Sequence, residues 1–315
     1  MKILYRIIFL FFFIFLIVQI LLSPSVIMPE IYNTLLLWTN KVVPSLLPFF
    51  LLTNFLMSYG LTTILGEFFK PIMKLFKTNP NNAFIIIISI FSGSPSNAFF
   101  AKEAINNGLI NENDATKVLL FSQFTSPLFI LGTVYSGLNN KKLCFLILFV
   151  TYFSNIIIAF IFKNLYVNNN INNISVENIK KVFWNKISFG KTLSTSIHKT
   201  FDTLLIILGS MCFFNIILII LKNSFSLNNI VYSFISGLFE ITQGINNVCL
   251  LNISLKIKVI LISIFLSFGG LSIHSQILSI TSDTKIKYLP YLGARLLHAL
   301  ISGLLVFILF NFIKY

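Results

Sequence analysis

Arg295 and His298 are the residues of this chain whose types and spacing most directly suggest chemistry. They lie three residues apart inside the apolar stretch Tyr291–Ala299, so one face of a helix would carry both side chains. A charge within a membrane span is costly and by default marks a functional site. A guanidinium of this kind can bind a carboxylate through two parallel hydrogen bonds. The alternative is an arginine near the start of its span that extends to the lipid headgroups, and the sequence leaves both open.

Glu240 and His274 are two further ionisable residues of the later apolar stretches. Glu240 lies beside a polar interruption and is interpreted as a group that takes a coupling proton or balances Arg295, with a structural ion pair as the alternative. His274 follows Gly269 by five residues and could titrate near neutral pH. The competing interpretation is an ordinary hydrogen-bonded helix histidine.

Clusters of small polar residues, glycine and proline interrupt four apolar stretches, at about residues 92–97, 122–127, 236–244 and 267–272. In a bilayer, such broken backbone survives only inside protein or beside a water-filled cavity. Discontinuous helices at matching places are typical of transporters, because the new helix N-termini direct N–H groups towards a solute. The alternative is that glycine and serine only permit close packing of helices. This alternative would be preferred for a single cluster, but four clusters that are paired between the two halves favour a solute site. The predicted solute-binding residues are Ser94, Ser96, Asn97, Thr125, Ser126, Gly269, Gly270, Ser272, His274, Gln276, Arg295 and His298, with Glu240 as the coupling group or charge partner.

Composition places the chain in the membrane class. Of its 315 residues, 56% are hydrophobic and 10% are charged, and the mean hydropathy is +0.89. Soluble domains carry roughly 25% charged residues. The formal net charge of +14 comes from lysines and arginines in short loops, which indicates the cytoplasmic bias of membrane proteins and argues against a nucleic-acid partner. The three cysteines lie in apolar runs without metal-ligand spacing, so we expect no metal and no cofactor.

The order of apolar and polar segments predicts individual helices and a division of the chain into four parts. A flat interfacial helix is expected over residues 30–42, a span kinked at Pro44 and Pro48 over 43–65, and an amphipathic helix over 179–187. The parts are an N-terminal transmembrane span over 1–29 with a cytoplasmic N-terminus, a first repeat over 30–162, a lysine-rich cytoplasmic linker over 163–199, and a second repeat over 200–315.

The two repeats are suggested by spacing and by charge. Ser92 precedes Phe124 by 32 residues, as Ser236 precedes Phe268. If every segment of the first half crossed the membrane, the lysine-rich linker would lie outside, against the positive-inside rule. One re-entrant segment corrects this and inverts the second half relative to the first. The sequence therefore predicts an all-α polytopic membrane protein with two inverted repeats and discontinuous, re-entrant helices.

Catalysis finds no support in the sequence. It contains no HExxH, no GxSxG, no Walker loop, and no cysteine–histidine pair at a suggestive spacing. An enzyme is therefore disfavoured.

The same polar clusters resemble a known family, the sporulation integral membrane proteins of the YlbJ type. These carry a nucleoside-recognition (Gate) domain and distantly resemble concentrative nucleoside transporters. The resemblance covers about residue 30 to the end, through segments that occur in order at 92–96, 102–113, 125–132, 236–242, 268–276 and 294–299. It implies a role in endospore formation, with transport of dipicolinic acid across a membrane that encloses the forespore.

Three functions remain open at this stage. The first is a transporter of dipicolinate in a bacterial inner membrane. The second is a carrier of nucleosides or other polar metabolites, and the third is a membrane scaffold for spore assembly that transports nothing. Membrane lipid and a small anionic or polar solute are the expected partners. A homo-oligomer is one option for the assembly, and the sequence does not fix it.

Overall fold

The part of the chain described by a computed structural model, residues 2–167 and 188–313, contains helices and no strand. The predicted all-α class is confirmed. Within these ranges, six helices are long and apolar enough to cross a membrane, as expected for a polytopic membrane protein. They are Ile3–Leu22, Pro24–Ser58, Lys141–Ile161, Phe189–Ser224, Leu255–Ile280 and Tyr288–Phe312.

The second of these helices corrects the prediction of a flat interfacial segment. Here α2 (Pro24–Leu37) continues through one π-helical turn, Trp38–Val42, into α3 (Val43–Ser58). Trp38 donates from its indole nitrogen to the carbonyl oxygen of Leu204 at 3.1 Å, so its side chain is bonded to protein. The preceding helix is α1 (Lys2–Leu22), and α3 is followed by α4 (Leu61–Phe68) and α5 (Lys70–Leu75).

The first predicted interruption lies inside a helical hairpin made of α6 (Asn82–Ser92) and α7 (Ser96–Asn106). Gly93 ends α6 with a φ of 79°, a conformation that favours glycine. The Asn81 side chain donates to the Leu109 carbonyl oxygen at 2.9 Å, so the chain leaves α7 next to the place where it began α6.

The second interruption separates α8 (Glu112–Phe121) from α9 (Pro127–Leu138). The Ser126 hydroxyl accepts a hydrogen bond from the Phe129 N–H at 3.2 Å and so caps α9, with proline at the first helical position. A full-length helix, α10 (Lys141–Ile161), follows and completes the first half.

The second half begins with α11 (Phe189–Ser224), so the predicted boundary between linker and repeat at residues 199 and 200 falls inside a helix. The amphipathic helix predicted over 179–187 lies outside the described residues. A second hairpin follows, made of α12 (Asn229–Phe239) and α13 (Ile241–Leu250).

The second hairpin corrects the position of one predicted interruption. Ser236 and Gly237 are helical, and the break falls at Glu240, whose backbone is extended. Gly237 faces Gly244 so closely that a Cβ atom on Gly244 would collide with the Gly237 backbone. The Asn247 amide also donates to the Ser236 hydroxyl at 3.0 Å. Ser236 and Gly237 therefore serve close packing between the two arms.

The last interruption is a single residue, Gly269, with a φ of 97°. It separates α14 (Leu255–Phe268) from α15 (Gly270–Ile280), and α16 (Tyr288–Leu309) closes the chain. Each half thus has a long helix, a helical hairpin, an interrupted helix and a full-length helix in that order. Inversion and re-entrance concern placement in a membrane and stay predictions.

Several buried or paired lysines gather at one end of the molecule, here called the lysine-rich end. Fully buried Lys117 donates to the carbonyl oxygens of Lys77 and Lys163, the latter at 2.7 Å. The Lys102 ammonium lies 2.8 Å from the Asp283 carboxylate. Its hydrogen bond lowers the pKa of this exposed carboxyl below the ordinary value. Lys102 thus ties α7 to the loop between α15 and α16, and Lys117 ties α8 to the residues that follow α5 and α10.

Candidate functional site

A cavity of about 360 Å³ lies where the four interruptions meet. Residues from each interruption line it, together with parts of α2, α3, α9 and α11. Of the predicted site residues, the structure brings six to this cavity: Ser94, Thr125, Ser126, Glu240, Ser272 and Gln276. The roles assigned to them stay predictions.

The two first-half interruptions are bonded to each other beside the cavity. The Ser94 N–H donates to the Phe124 carbonyl oxygen at 2.9 Å. A Cβ atom on Gly93 would lie 2.8 Å from the Ser126 nitrogen, so both space and φ require glycine there. The Tyr152 hydroxyl lies 3.0 Å from the Thr125 carbonyl oxygen and adds a contact from α10. The cavity wall on this side is thus fixed by backbone contacts.

Glu240 caps α13 and faces the cavity. Its carboxylate accepts a hydrogen bond from the Gln243 N–H at 2.8 Å, and its side chain is buried. The prediction that it balances Arg295 is wrong, because no ion pair joins the two residues and the Arg295 guanidinium is bonded elsewhere. Among the residues that the structure describes, Glu240 is also the only acidic one in the cavity lining.

Gln123 is a cavity residue that the predicted set omits. Its Oε1 accepts a hydrogen bond from the Tyr291 hydroxyl, while its Nε2 is buried without a partner in the described residues. A Cβ atom on Gly269 would collide with that Nε2. The signal in the sequence was a lone amide inside the polar run 122–127, but neither Tyr291 nor Gly269 is near it in the chain.

Arg295 and His298 are not in the cavity lining. The Arg295 guanidinium donates to the Leu120 carbonyl oxygen and lies 2.9 Å from Nδ1 of His298, which in turn lies 3.1 Å from the Ser267 carbonyl oxygen. Leu120 and Ser267 are each the second-last residue of an interrupted helix, α8 or α14, where carbonyl groups lack helical partners. Arg295 therefore holds the partially negative end of α8. Because Nδ1 of His298 accepts from Arg295, the ring proton lies on Nε2 and is donated to the Thr151 carbonyl oxygen at 2.9 Å, so His298 lies beside the end of α14 without a hydrogen bond to it.

This arrangement corrects the sequence interpretation of Arg295. The headgroup alternative is wrong because the residue is fully buried. The predicted direct contact with a solute carboxylate has no counterpart, because the guanidinium is bonded to the Leu120 carbonyl oxygen and to His298 and does not line the cavity.

The remaining predicted residues shape the turns and do not line the cavity. Ser96 donates to the Gly93 carbonyl oxygen, and the Asn97 amide lies 3.4 Å from the Ser122 hydroxyl. The ring nitrogens of His274 lie 3.1 Å from the Phe268 carbonyl oxygen and 2.9 Å from the Tyr288 hydroxyl, as expected for a hydrogen-bonded helix histidine. Gly269 and Gly270 both have positive φ.

The cavity combines helix N-termini with few charged side chains. Each of the half-helices α7, α9, α13 and α15 begins beside it, and such ends carry partial positive charge. The Ser126 side chain accepts a hydrogen bond from one N–H of α9, and the Glu240 side chain accepts one from an N–H of α13. Within residues 2–167 and 188–313, exposed Lys41 supplies the one basic side chain of the lining. The setting suits a small solute that presents hydrogen-bond acceptors.

Comparison with known proteins supports a membrane family. Residues 39–167 match the Gate family, described as nucleoside recognition, and include the first hairpin, both first-half interruptions and α10. The chain is also 26% identical to the sporulation integral membrane protein YlbJ of Bacillus subtilis (strain 168), over 95% of this chain and 81% of that protein. The predicted resemblance to this family is confirmed. No solved structure matches the chain significantly.

The Gate match and the YlbJ similarity cover different parts of the site. The Gate region contains Ser94, Gln123, Thr125 and Ser126, which form the first-half wall of the cavity. The similarity to YlbJ extends over almost all of the chain and so takes in the second-half wall as well. The chain is therefore an integral membrane protein similar to YlbJ-type sporulation proteins.

Proposed function

We propose that this protein is a membrane carrier for a small polar or anionic solute, and that the cavity between the four interruptions is its solute site. The observation that carries the proposal is the meeting of four half-helix N-termini around one space of about 360 Å³. Carriers place their sites near the bilayer midplane, between discontinuous helices of two repeats. A scaffold that moves nothing would need no such space.

The hairpins supply the parts for alternating access. The first hairpin joins the lysine-rich end through Lys102, and the second hairpin packs on α14 and α9 near the opposite end of these helices. If the lysine-rich end is cytoplasmic, as the positive-inside rule suggests, the hairpins enter the bilayer from opposite faces. Rocking of one half against the other would then expose the cavity to each face in turn.

Dipicolinate is the solute we favour, because the chain is similar to a sporulation membrane protein. It is a planar dianion whose carboxylates accept hydrogen bonds. The N-termini of α7 and α15, the hydroxyls of Ser94 and Thr125, and Lys41 at the exposed side are the groups available to it. Arg295 acts in this proposal by holding the end of α8, without contact to the solute.

Because Glu240 lies in the cavity lining, we predict that transport of the solute is coupled to proton movement. A dianion beside a buried carboxylate is repelled unless that carboxylate is protonated. Uptake of dipicolinate should therefore respond to a proton gradient, and a gradient of one pH unit corresponds to about tenfold accumulation per coupled proton. Glu240→Gln should keep an acceptor for the Gln243 N–H and lose the response, measured in vesicles with an imposed pH step. Exposed Glu30→Gln is the control, and a response that survives Glu240→Gln contradicts the coupling role.

A nucleoside is the second candidate, favoured by the Gate match and by the same carboxylate. A neutral solute with hydroxyl groups would donate to ionised Glu240 and would meet no repulsion. The hydroxyls of Thr242 and Ser272 would complete such a site.

One pair of assays separates the candidates. In a spore-forming strain where this gene is the only one of its kind, spores should accumulate dipicolinate. Spores of the same strain without the gene should not. The purified chain in proteoliposomes should take up labelled dipicolinate and leave labelled uridine outside. Uptake of uridine instead would favour the nucleoside carrier. Normal filling of spores without the gene, together with no uptake of either probe, would favour the scaffold.

A further inference from the structure

A second, smaller cavity of about 200 Å³ lies next to the first, towards the lysine-rich end. Its lining includes three hydroxyl residues of the loop between α15 and α16 (Thr281, Ser282 and Thr284) and the basic residue Lys287. Ser282 and Lys287 are exposed, so the lining extends to the molecular surface. A hydroxyl-rich space with a lysine suits a small anion.

The two cavities lie about one helical turn apart along α15. Leu119 of α8 lines the smaller cavity, and Gln123, two residues beyond the end of α8, lines the larger one. On α15, Ile277 lines the smaller cavity and Ile273 lines the larger one. Residues four apart are separated by about one turn, or 5.4 Å along the axis. Only one layer of side chains therefore separates the spaces.

Tyr291 and Gln123 form part of that layer. Tyr291 lines the smaller cavity and Gln123 lines the larger, and the tyrosine hydroxyl donates to the Gln123 Oε1. Tyr291 is fully buried, and its ring lies 5.6 Å from the Arg295 guanidinium, which holds it in place. The other amide atom of Gln123, Nε2, has no partner in the described residues, so the amide holds one donor that no protein group uses.

We infer that the smaller cavity is the vestibule through which a small anion passes between the lysine-rich end and the larger cavity, and that the Tyr291–Gln123 contact closes this passage. The inference rests on the proposed carrier function and adds the route to it. Passage requires the tyrosine hydroxyl to leave Gln123. The freed Oε1 and the unpartnered Nε2 then face the passing solute, and Lys287 attracts the anion at the outer side.

Cysteine labelling with a membrane-impermeant thiol reagent tests the passage without any transport. The three native cysteines are replaced by alanine in the full chain, and single cysteines are placed at Thr284 in the vestibule or Ser272 in the larger cavity. Labelling rates are compared in right-side-out and inverted membrane vesicles. Thr284→Cys should react from one face only, which identifies the face on which the vestibule opens.

From that face, Ser272→Cys should react slowly while Tyr291 is present. Tyr291→Phe should raise its rate about fivefold, which corresponds to one lost hydrogen bond. Tyr291→Ala, which also removes the ring, should raise it further. Exposed Tyr32→Ala is the matched control and should leave the rate unchanged. Where Tyr291→Ala does not fold, Tyr291→Phe and Gln123→Leu carry the test.

The inference is overturned if Thr284→Cys stays unlabelled from both faces, or if neither Tyr291→Phe nor Gln123→Leu changes the Ser272→Cys rate. Its failure is distinct from failure of the proposed function. A chain that transports neither dipicolinate nor uridine but shows the expected labelling keeps the passage and loses the carrier assignment. A chain that transports one of them without the labelling changes keeps the assignment and loses this route.

Discussion

Arg295→Ala should lower the stability of the folded protein far more than it lowers the affinity for any solute. The substitution leaves the Leu120 carbonyl oxygen and His298 Nδ1 without their donor, and both are buried. A buried polar group without its partner costs about 1–3 kcal/mol, and the volume of the lost side chain adds a cavity term. The sum is a large part of the roughly 5–15 kcal/mol that keeps proteins folded. Thermal unfolding of the purified chain in detergent measures the change.

Two further variants make this result specific. Arg295→Lys should be intermediate, because an ammonium keeps the charge but lacks the planar fork that serves Leu120 and His298 together. Lys285→Ala, at an exposed position between α15 and α16, removes a cation without a stability change. If the Arg295→Ala protein unfolds at the wild-type temperature and yet has lost uptake, Arg295 does not act by holding the end of α8. Direct contact between Arg295 and the solute is then the better explanation.

Gly244→Ala should disrupt the second hairpin, although it adds only one carbon atom. That atom would collide with the backbone of Gly237, and a backbone collision cannot be relieved by a change of rotamer. Overpacking of this kind costs about 1–3 kcal/mol and occasionally more. Because α13 begins at Glu240 beside the cavity, a displaced arm would also move that carboxylate. We expect a lower unfolding temperature and loss of uptake in the same variant.

The chain offers matched controls for this glycine. A Cβ atom on Gly209 of α11 or Gly293 of α16 would meet no atom within 4 Å. Alanine has a better helix propensity than glycine by up to about 1 kcal/mol, so both substitutions should leave stability unchanged or raise it. Equal effects of alanine at all three glycines would contradict the close packing of α12 on α13.

The interruptions could be predicted from the sequence because their cause is local. Gly93 and Gly269 adopt positive φ, and the serine–proline pair at Ser126 starts a new helix, so residue type and break coincide. Gly237 misled the prediction because glycine also serves close packing, and only the position of Gly244 in space distinguishes the two uses.

The contacts of the site could not be predicted because they join distant parts of the chain. Arg295 meets a carbonyl oxygen of Leu120, and every residue has such a group, so no residue type marks the partner. Gln123 was omitted because its partner Tyr291 lies 168 residues away. Trp38 and Lys41 resemble residues of a membrane interface, yet one binds Leu204 and the other lines the cavity. In each case, the fold decides the role of the side chain.

The measurement that tests the central claim most directly is solute uptake after the cavity has been filled. Ser272 lies in the cavity wall, where its hydroxyl accepts a hydrogen bond from the Gln276 amide, so Ser272→Trp places a large side chain in the solute space. Gly209→Trp adds the same side chain at an exposed position of α11 and is the control. In proteoliposomes of folded protein, Ser272→Trp should abolish dipicolinate uptake while Gly209→Trp retains it. Uptake that continues at the wild-type rate with Ser272→Trp would show that the solute takes another route, and the cavity would no longer be its site.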